Sequence, residues 1–541
     1  MQGLMMGSQL TITELMRHAE KLHHAQEIVS FTQENPRHRY TFKDCFGRAR
    51  QLANALHKLG LKQGDIVGSL AWNDYRHMEL YYASACSGMI CHTVNPRLFP
   101  EQIVYMLNHA EDKWMFIDPM FMPLLESIQD QLEHAIGFIV LCDEANMPTT
   151  TLKNAQSYEA LIAPHSDEFD WPELNENQAC SLCYTSGTTG NPKGALYSHR
   201  ALLLQSYACS LADSLGLKST DCVMPIVPMF HVNAWNIPYV AALTGFKLVF
   251  PGSKMGDGVA LQELIEEESV TMSAGVPTVW LNLLTHLRES GKKVESLKKV
   301  LVGGAACPLS VMEEFENSHG VYTHLGWGMT ELSPLGTFNS LPRAREAYSD
   351  EEYAKARVRS GRSIFGIEMK IVDDNDEDLP WDGVAFGTLK VRGPWVIREY
   401  FKQGKSALDD KGWFDTGDVA TIDQDGSMMI TDRTKDVIKS GGEWISSIDL
   451  ENCAVGHPGV AEAAVIGVAH PKWTERPMLI IVRNPDSDVQ GQAILDFMDG
   501  KVAKWWMPDA VEFVDELPHT ATGKIQKVEL RKQFSDYQLK G

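Results

Sequence analysis

The sequence contains no run of about 18 uncharged apolar residues, and residues 1–7 do not join a basic stretch to an apolar one. We therefore expect no transmembrane segment and no secretory signal. Basic residues are also outnumbered by acidic ones. The sequence has 49 Lys and Arg and 71 Asp and Glu, which gives a formal net charge of −22. Since contacts to a nucleic-acid backbone need a basic surface, this balance argues against a nucleic-acid-binding protein. It leaves room for an anionic small ligand, which needs only a locally positive site.

The cysteines lack the spacing of a zinc finger or of a disulfide scaffold. Ten of them are spread over 541 residues, and only Cys180 and Cys183 form a C-x-x-C pair. Ser181 and Leu182 between them belong to an apolar run, which predicts a buried strand. We expect reduced thiols and a cytoplasmic protein.

The chain is long enough for two to four domains at about 100–200 residues per domain. From residue 40 to residue 250, helical patterns alternate with β-rich runs at 114–117, 138–141 and 247–250. Strands separated by helical segments predict βα units, and therefore an α/β fold with mainly parallel sheets.

The C-terminal third has a different pattern. Short β-rich runs at 364–372, 387–391 and 427–431 are separated by Gly and Asp turns, which predicts a small antiparallel, β-barrel-like subdomain over about 345–433. A charged D-R-T-K-D segment at 432–436 then precedes a region with its own strand and helix. We place the domain boundary there, which gives an N-terminal domain of residues 1–433 and a smaller α+β C-terminal domain of residues 434–541.

The most informative segment is Y-T-S-G-T-T-G-N-P-K-G at 184–194, in which seven of eleven residues are Gly, Ser or Thr. Glycines let a backbone approach a ligand closely, and hydroxyl and amide groups donate to phosphate oxygens, so the segment predicts a polyphosphate site. The spacing differs from that of a Walker A loop, because Gly187, Gly190 and Lys193 are each three residues apart. A flexible surface loop is the alternative that composition alone leaves open.

This segment resembles the phosphate-loop signature of the acyl-adenylate-forming superfamily, which includes acyl-CoA synthetases, firefly luciferases and the adenylation domains of peptide synthetases. Further motifs that resemble those of the family follow in the family's order, so the resemblance covers nearly the whole chain. It implies that the loop binds the phosphates of ATP through Thr185, Ser186, Gly187, Thr188, Thr189, Gly190 and Lys193.

A second motif, G-W-G-M-T-E at 326–331, offers an aromatic face, a hydroxyl and a carboxylate within a few residues. These groups could stack on a base, contact a phosphate and hold Mg²⁺. By resemblance, Trp327 lies against adenine, Thr330 contacts the α-phosphate and Glu331 binds the metal with Thr188. The same resemblance adds to the nucleotide site the residues Gly303, Gly304, Ala305, Gly326, Gly328 and Met329.

A third motif, W-F-D-T-G-D at 413–418, is followed by Asp432-Arg433. A carboxylate can accept hydrogen bonds from both ribose hydroxyls, and an arginine can donate to the same sugar. A Thr-Gly-Asp sequence is by itself a common turn. The resemblance assigns Asp418 and Arg433 to the ribose.

Two motifs belong to the predicted C-terminal domain. P-H-T-A-T-G-K at 518–524 is similar to the family motif whose lysine is required for adenylation, which implies that Lys524 neutralises charge in the transition state. K-D-V-I-K-S-G-G-E-W at 435–444 resembles the hinge about which the small domain rotates. It implies that Lys435 is the hinge residue and that the passage for CoA is lined by Lys439, Ser440, Gly441, Gly442 and Glu443.

The acyl site is implied by M-F-H-V-N-A-W at 229–235, in which His231 is the candidate neighbour of the acyl carboxylate and a buried structural histidine is the alternative. The other acyl-binding candidates are Trp235, Gly303, Gly326, Trp327, Pro334 and Leu335. A bulky indole at 235 leaves less depth, which favours a short or medium, uncharged acid. The motifs most resemble the bacterial branch that contains 3-methylmercaptopropionate-CoA ligases and medium-chain acyl-CoA synthetases.

The resemblance implies a ligase that uses ATP, Mg²⁺ and CoA to convert a carboxylic acid to its CoA thioester through an acyl-adenylate. Its catalytic residues would be Lys524, Thr330, Glu331 and His231. The alternatives are a synthetase for medium-to-long-chain fatty acids, an enzyme that loads a carrier protein, and a luciferase-like oxygenase. Relatives are often homodimers, and no pattern in this sequence establishes a dimer.

Overall fold

The computed structural model describes residues 1–541 except 2, 186–190, 441–442, 486, 520–524, 538 and 540–541. Up to residue 162, helices alternate with short strands. The elements are α1 (Ile12–Leu22), β1 (Glu27–Ser30), β2 (His38–Thr41), α2 (Phe42–Lys58), β3 (Ile66–Leu70), α3 (Tyr75–Cys86), β4 (Ile90–Thr93), α4 (Pro100–Ala110), β5 (Trp114–Ile117), α5 (Met122–Ile128), β6 (Gly137–Val140), β7 (Gln156–Ser157) and α6 (Tyr158–Ile162).

The alternation continues to residue 338 and then gives way to strands. From 179 to 338 the elements are β8 (Ala179–Tyr184), β9 (Gly194–Ser198), α7 (His199–Ser210), β10 (Cys222–Pro225), α8 (Val232–Trp235), α9 (Ile237–Thr244), β11 (Lys247–Phe250), α10 (Gly258–Glu268), β12 (Met272–Gly275), α11 (Pro277–Ser290), β13 (Lys299–Val302), α12 (Leu309–His319), β14 (Tyr322–Gly328) and β15 (Leu335–Phe338). They are followed by α13 (Asp350–Arg357), β16 (Gly361–Ser363), β17 (Glu368–Val372), β18 (Phe386–Arg392), β19 (Phe414–Ile422) and β20 (Ser427–Arg433).

The last hundred residues form a separate sheet with three helices. Its elements are β21 (Ile438–Ser440), β22 (Glu443–Ile445), α14 (Ser447–Val455), β23 (Val460–His470), β24 (Thr474–Arg483), α15 (Gly491–Met498), β25 (Ala510–Phe513) and α16 (Lys527–Gln533). The strand order is β22-β21-β24-β23, and β25 pairs in parallel with β24. Alternate residues of the two long strands enter two different cores, so helices can cover both faces of this sheet.

Two large sheets make up the rest of the molecule. The first has seven strands in the order β7-β6-β5-β3-β4-β8-β9, all parallel except for the antiparallel β8–β9 pair. The second has thirteen strands in the order β17-β18-β19-β20-β16-β15-β14-β13-β12-β10-β11-β1-β2. It changes from parallel to antiparallel at β14, which pairs in parallel with β13 and antiparallel with β15. The antiparallel strands after 345 therefore continue one edge of the large parallel sheet.

The strands are buried on both faces where helices cover them, which explains why the sequence shows apolar runs and little alternation. β5, β6 and β8 have buried side chains at nearly every position. Cys180 and Cys183 lie in β8 as free, buried thiols, which confirms the predicted buried strand. The predicted fold class, an α/β domain of mainly parallel sheets with a smaller α+β domain, is also confirmed. In the part of the chain that is described, no helix combines the length and apolar character needed to cross a bilayer.

Candidate active site

A cavity of about 1180 Å³ lies at the carboxyl ends of the parallel strands β10, β12 and β13. The residues that follow each strand line it, among them Ile226 after β10, Val276 after β12 and Gly303 after β13. This edge of an open parallel sheet is where ligands generally bind in α/β folds. The antiparallel strands and the C-terminal elements close its other side, since Thr416, Arg433 and Gln526 also line it.

Most of the residues predicted for the site lie on this one surface. The predicted residues that line the cavity are Thr185, Lys193, His231, Trp235, Gly303, Gly304, Ala305, Gly326, Trp327, Gly328, Met329, Thr330, Glu331, Pro334, Leu335, Arg433 and Lys435. The predicted residues that lie outside the described part of the chain are Ser186, Gly187, Thr188, Thr189, Gly190, Gly441, Gly442 and Lys524. Lys439 and Ser440 lie in β21, which pairs with β22 beginning at Glu443. Lys439, Ser440 and Asp418 are not among the lining residues.

The stem of the predicted phosphate loop is a β-hairpin formed by β8 and β9. Beyond the last paired residues, Tyr184 and Gly194, the Thr185 amide donates to the carbonyl of Lys193 at 2.9 Å. The Lys193 amide in turn donates to Oγ1 of Thr185 at 3.2 Å. These bonds fix both ends of the loop at the cavity wall and place the Lys193 ammonium 4.9 Å from the ring centroid of Tyr400.

Trp327, Asp418 and Arg433 form a connected group. The indole Nε1 of Trp327 donates to Oδ2 of Asp418 at 2.8 Å, and the Arg433 guanidinium pairs with Oδ1 at 2.9 Å. The pairing of β19 with β20 sets Asp418 directly opposite Arg433, so the sheet register creates the ion pair. The indole offers a surface on which a base could stack. The buried carboxylate and the guanidinium could bind the hydroxyls of its ribose.

The Thr330-Glu331 step is held by three hydrogen bonds from other segments. The Tyr197 hydroxyl donates to the carbonyl of Thr330 at 2.5 Å, and the Ile397 amide donates to the carbonyl of Glu331 at 2.9 Å. The Tyr400 hydroxyl donates to Oε1 of Glu331 at 2.8 Å. Burial raises the pKa of the Glu331 carboxyl above its ordinary value, while the hydrogen bond from Tyr400 and the charge of Arg433 oppose that rise.

Neither tyrosine is predicted by the sequence motifs. Neither residue belongs to a motif segment, and their partners are about 133 and 69 residues away, as the bonds Tyr197–Thr330 and Tyr400–Glu331 show. No local pattern could have signalled such contacts.

The lining fits a magnesium ion that is held mainly by substrate. No group of three or more His, Cys, Asp or Glu among the described residues could hold a metal ion by itself. Glu331 supplies one nearly buried carboxylate to the cavity wall. In proteins Mg²⁺ is typically bound by one or two carboxylates together with phosphate oxygens and water. The single carboxylate of Glu331 agrees with this coordination.

The backbone turn that carries Trp235, a candidate for the acyl site, has a left-handed conformation. Val232, Asn233, Ala234, Trp235 and Asn236 all have φ between 46° and 61°, in the left-handed region that L-residues with a Cβ avoid. Buried side-chain hydrogen bonds hold the turn. Asn233 exchanges hydrogen bonds with Ser181 of β8, and Asn236 Nδ2 donates to Gln205.

This turn brings the Trp235 indole against Gly303. A Cβ at position 303 would lie 2.8 Å from Cη2 of Trp235 and 3.2 Å from the carbonyl oxygen of Gly326. Glycine at 303 is thus needed for the indole to pack there. Val, Ala and Trp have no preference for left-handed backbone, so the sequence carried no signal for the turn.

The predicted hinge segment is bonded to two C-terminal helices, α14 and α16, through residues on both sides of Lys435. Oδ2 of Asp432 accepts hydrogen bonds from the amide and the hydroxyl of Ser447, both at 2.7 Å. Asp436 pairs with Arg531 of α16 at 2.8 Å. Burial lowers the pKa of Lys435, which lines the cavity between these contacts.

Comparison with known proteins identifies the family. Residues 15–401 match the AMP-binding enzyme model, and residues 449–524 match the model of the AMP-binding enzyme C-terminal domain. The chain is 49% identical over 536 residues to a 3-methylmercaptopropionyl-CoA ligase of Ruegeria lacuscaerulensis, covering 99% of both chains. It is 47% identical over 540 residues to a medium-chain-fatty-acid–CoA ligase of Ectopseudomonas oleovorans, covering 100% of this chain and 99% of the other.

A solved structure of an anthranilate CoA ligase in complex with anthranoyl-AMP superposes with a TM-score of 0.85. Its sequence is 26% identical, and the match covers 96% of this chain and 97% of that one. The family resemblance predicted from the motifs is confirmed. With its cavity at the strand ends and its nucleotide-type lining, the chain belongs to the AMP-binding enzyme family.

Proposed function

We propose that this protein is an ATP-dependent acyl-CoA ligase, which joins a carboxylic acid to CoA through an acyl-adenylate and releases AMP and pyrophosphate. One observation carries the proposal. A single cavity brings together Lys193 at the base of the phosphate loop, Trp327 and Arg433, the carboxylate of Glu331 and the turn that bears Trp235. Asp418 bonds to Trp327 and Arg433 from behind this lining. The two relatives named above are CoA ligases, which supports the same reaction.

In the first step the substrate carboxylate attacks the α-phosphorus of ATP, a P–O bond forms to the carboxylate oxygen, and pyrophosphate leaves. Charge accumulates on the phosphate oxygens, so positioning and charge neutralisation supply most of the catalysis. Lys193, Thr185 and Thr330 face the phosphates, Trp327 faces the base, and Asp418 with Arg433 faces the ribose. Lys524 would supply a second cation, and Glu331 would hold Mg²⁺, whose charge would offset that of the phosphates.

In the second step the CoA thiol attacks the acyl carbonyl, the thioester forms, and AMP leaves. We assign Lys435 as the hinge between residues 1–433 and residues 434–541, and the hairpin residues 439–443 as the lining of the pantetheine passage. Rotation about Lys435 would withdraw Lys524 and bring the hairpin to the cavity. Asp432 bonds across the proposed boundary to Ser447, whereas Asp436 pairs with Arg531 inside residues 434–541, so the proposed boundary at Lys435 lies between these two contacts.

The substrate we propose is a short or medium, uncharged acid, with 3-methylmercaptopropionate as the first candidate. The Trp235 indole occupies the space above Gly303, and the side chains of Leu301 and Leu335 lie beside Gly326, so the acyl end is narrow and apolar. His231 lines the cavity next to this end and is our candidate neighbour of the carboxylate. A medium-to-long-chain fatty acid is the second candidate, because one of the two relatives is named as a medium-chain-fatty-acid–CoA ligase.

We place the reaction in the cytoplasm, which supplies both ATP and CoA and keeps thiols reduced. All ten cysteines are free, and nine of them are buried. A reducing compartment suits that state.

The test is the release of AMP and pyrophosphate across a panel of acids, measured with and without CoA. We expect methylthiopropionate or the straight-chain acids from butanoic to octanoic to give pyrophosphate, AMP and an acyl-CoA in equal amounts. An aromatic acid and an amino acid serve as controls and should turn over poorly. Adenylate formation without any thioester would contradict the ligase assignment, and efficient turnover of only the control acids would contradict the substrate class.

A further inference from the structure

A short segment outside the motifs contacts both halves of the polyphosphate site. Residues 397–402, here called the clamp segment, run between the Glu331 motif and the exit strand of the phosphate loop. The Ile397 amide donates to the carbonyl of Glu331 at 2.9 Å, and the Phe401 amide donates to the carbonyl of Gly194 at 2.8 Å. The backbone of this segment thus ties the two motifs together.

The side chain of Tyr400, a residue of the clamp segment, also contacts both motifs. Its hydroxyl donates to Oε1 of Glu331 at 2.8 Å, and its ring centroid lies 4.9 Å from the ammonium of Lys193. Tyr400 itself lines the cavity. Among the described residues no carboxylate forms an ion pair with Lys193, and the Tyr400 ring is the contact that the structure shows for this ammonium.

We propose that Tyr400 is a positioning residue that holds the metal-binding carboxylate of Glu331 and the phosphate-loop cation of Lys193 in fixed relation to one polyphosphate. The inference rests on the proposed function, since it assumes that both groups meet ATP. It deepens that function by naming the residue that sets their geometry.

The physical reason is preorganisation. A carboxylate and an ammonium that must face the same phosphates lose rotamer freedom when ATP binds, unless other groups already hold them. Residues that hydrogen-bond to a metal ligand typically change metal affinity or activity by about 10- to 100-fold when they are removed. The aromatic contact adds a cation–π interaction to Lys193, which is strongest where water is excluded.

Two substitutions separate the roles of the hydroxyl and the ring. Tyr400→Phe removes the donor to Glu331 and keeps the ring beneath Lys193, whereas Tyr400→Leu removes both. Tyr537→Phe is the matched control, because the Tyr537 hydroxyl also donates to a carboxylate, Oε1 of Glu512 at 2.9 Å, on the C-terminal sheet and away from the cavity. Glu331→Ala provides a background in which the hydroxyl has no carboxylate to hold.

The experiment measures binding of the Mn²⁺ complex of ATP by electron paramagnetic resonance, and binding of metal-free ATP by calorimetry in the presence of EDTA. We expect Tyr400→Phe to weaken Mn²⁺–ATP binding by about 10-fold and to leave metal-free ATP unchanged. Tyr400→Leu should weaken both. In the Glu331→Ala background Tyr400→Phe should have no further effect, and Tyr537→Phe should match the wild type.

The proposal would be overturned if Tyr400→Phe bound Mn²⁺–ATP like the wild type, or if it weakened metal-free ATP to the same extent, which is the result of a general packing role. A further loss in the Glu331→Ala background would also contradict it. Because these measurements need neither an acid nor CoA, they remain informative if the acid panel fails. Failure of the proposed function and failure of this inference are therefore distinguishable.

Discussion

Trp235 and Gly303 occupy one space at the acyl end of the cavity. The indole lies where a side chain at 303 would be, with a closest approach of 2.8 Å to an added Cβ. Protein interiors have few voids larger than a water molecule, so either a larger residue at 303 or a smaller one at 235 must change the cavity. If this end of the cavity holds the acyl chain as proposed, the two residues together set the depth available to it.

Gly303→Ala should displace the indole toward the substrate and lower kcat/KM for all acids, with the larger loss for the longer ones. Trp235→Ala should open the space and shift preference from butanoic toward decanoic acid. The double variant is the decisive measurement, because the methyl group added at position 303 then no longer meets an indole. If kcat/KM of the double variant did not recover above that of Gly303→Ala, the two side chains would not share this space.

Asp418 connects Trp327, the proposed contact to the base, with Arg433, a proposed contact to the ribose, because it accepts a hydrogen bond from Trp327 and pairs with Arg433. Asp418→Asn should raise the KM for ATP about 10-fold, since hydrogen bonds that involve a charged group contribute about 1.5–3 kcal/mol. It should also reduce the preference for ATP over 2′-deoxy-ATP, which reports on the ribose hydroxyls. Asp423→Asn, at an ion pair with Arg359 outside the cavity lining, is the control. An unchanged preference in Asp418→Asn would remove Asp418 from the ribose site.

At the residue scale the sequence predicted those side chains whose type and spacing match the chemistry of a nucleotide site. Trp327 and Glu331 are of this kind. It did not predict Tyr197, Tyr400 or Asn233, which act through contacts to distant segments. Such residues have no local pattern, because the fold alone decides what they touch.

The start of α14 packs against the end of β20. The Ser447 amide and hydroxyl donate to Asp432, and the Asp449 amide donates to the hydroxyl of Ser446, which caps the helix. Burial raises the pKa of Asp449 to about 6, the hydrogen bond with Ser446 opposes the rise, and the neighbouring Asp432 adds to it. The first turn of α14 therefore carries a carboxyl group whose neutral form is favoured by burial.

The raised pKa predicts a pH-dependent stability. Between about pH 4, the unfolded value, and about pH 6, the folded protein binds a proton at Asp449 that the unfolded chain releases, so stability falls as pH rises through this window. Asp449→Asn should remove this pH dependence. The substitution should change the free energy of unfolding more favourably near neutral pH than at low pH, by about 1–3 kcal/mol. Urea unfolding at about pH 4.5 and about pH 7.5 measures the difference.

Asp496→Asn on the exposed face of α15 is the control for that experiment. It should shift stability equally at both pH values. If Asp449→Asn also gave equal shifts, folding would not raise the pKa of the Asp449 carboxyl, and the predicted pH dependence would be wrong.

At the element scale the sequence predicted parallel strands and an antiparallel region, but not their order. Nothing local to β14 indicates that it joins the parallel β13 to the antiparallel β15 within one thirteen-stranded sheet. Sheet order depends on pairings between strands far apart in the chain, such as β1 with β11. The left-handed turn of residues 232–236 is a similar case, because distant side chains hold it.

For the whole molecule, the local charge of the cavity contrasts with the net charge of −22. Lys193 and Arg433 line the cavity, so an acidic protein presents cations to an anionic nucleotide. His519 and Gln526, on either side of residues 520–524, also line the cavity.

Lys524→Ala should slow adenylate formation by about 100-fold or more, as expected when a preorganised charge is removed from a transition state. Thioester formation from pre-made acyl-adenylate should remain close to the wild-type rate, because the proposed domain rotation would withdraw Lys524 for that step. Rapid-quench measurements of the two half-reactions provide the comparison. Equal slowing of both steps would contradict the division of labour between the two domain positions.

The central claim, that one cavity makes an acyl-adenylate and passes the acyl group to CoA, has a direct isotopic test. The acid is labelled with oxygen-18 in its carboxylate and incubated with ATP and CoA, and the products are analysed by mass spectrometry. The account predicts one labelled oxygen in AMP, one in the acyl-CoA and none in pyrophosphate. Unlabelled AMP, or label in phosphate or pyrophosphate, would contradict it.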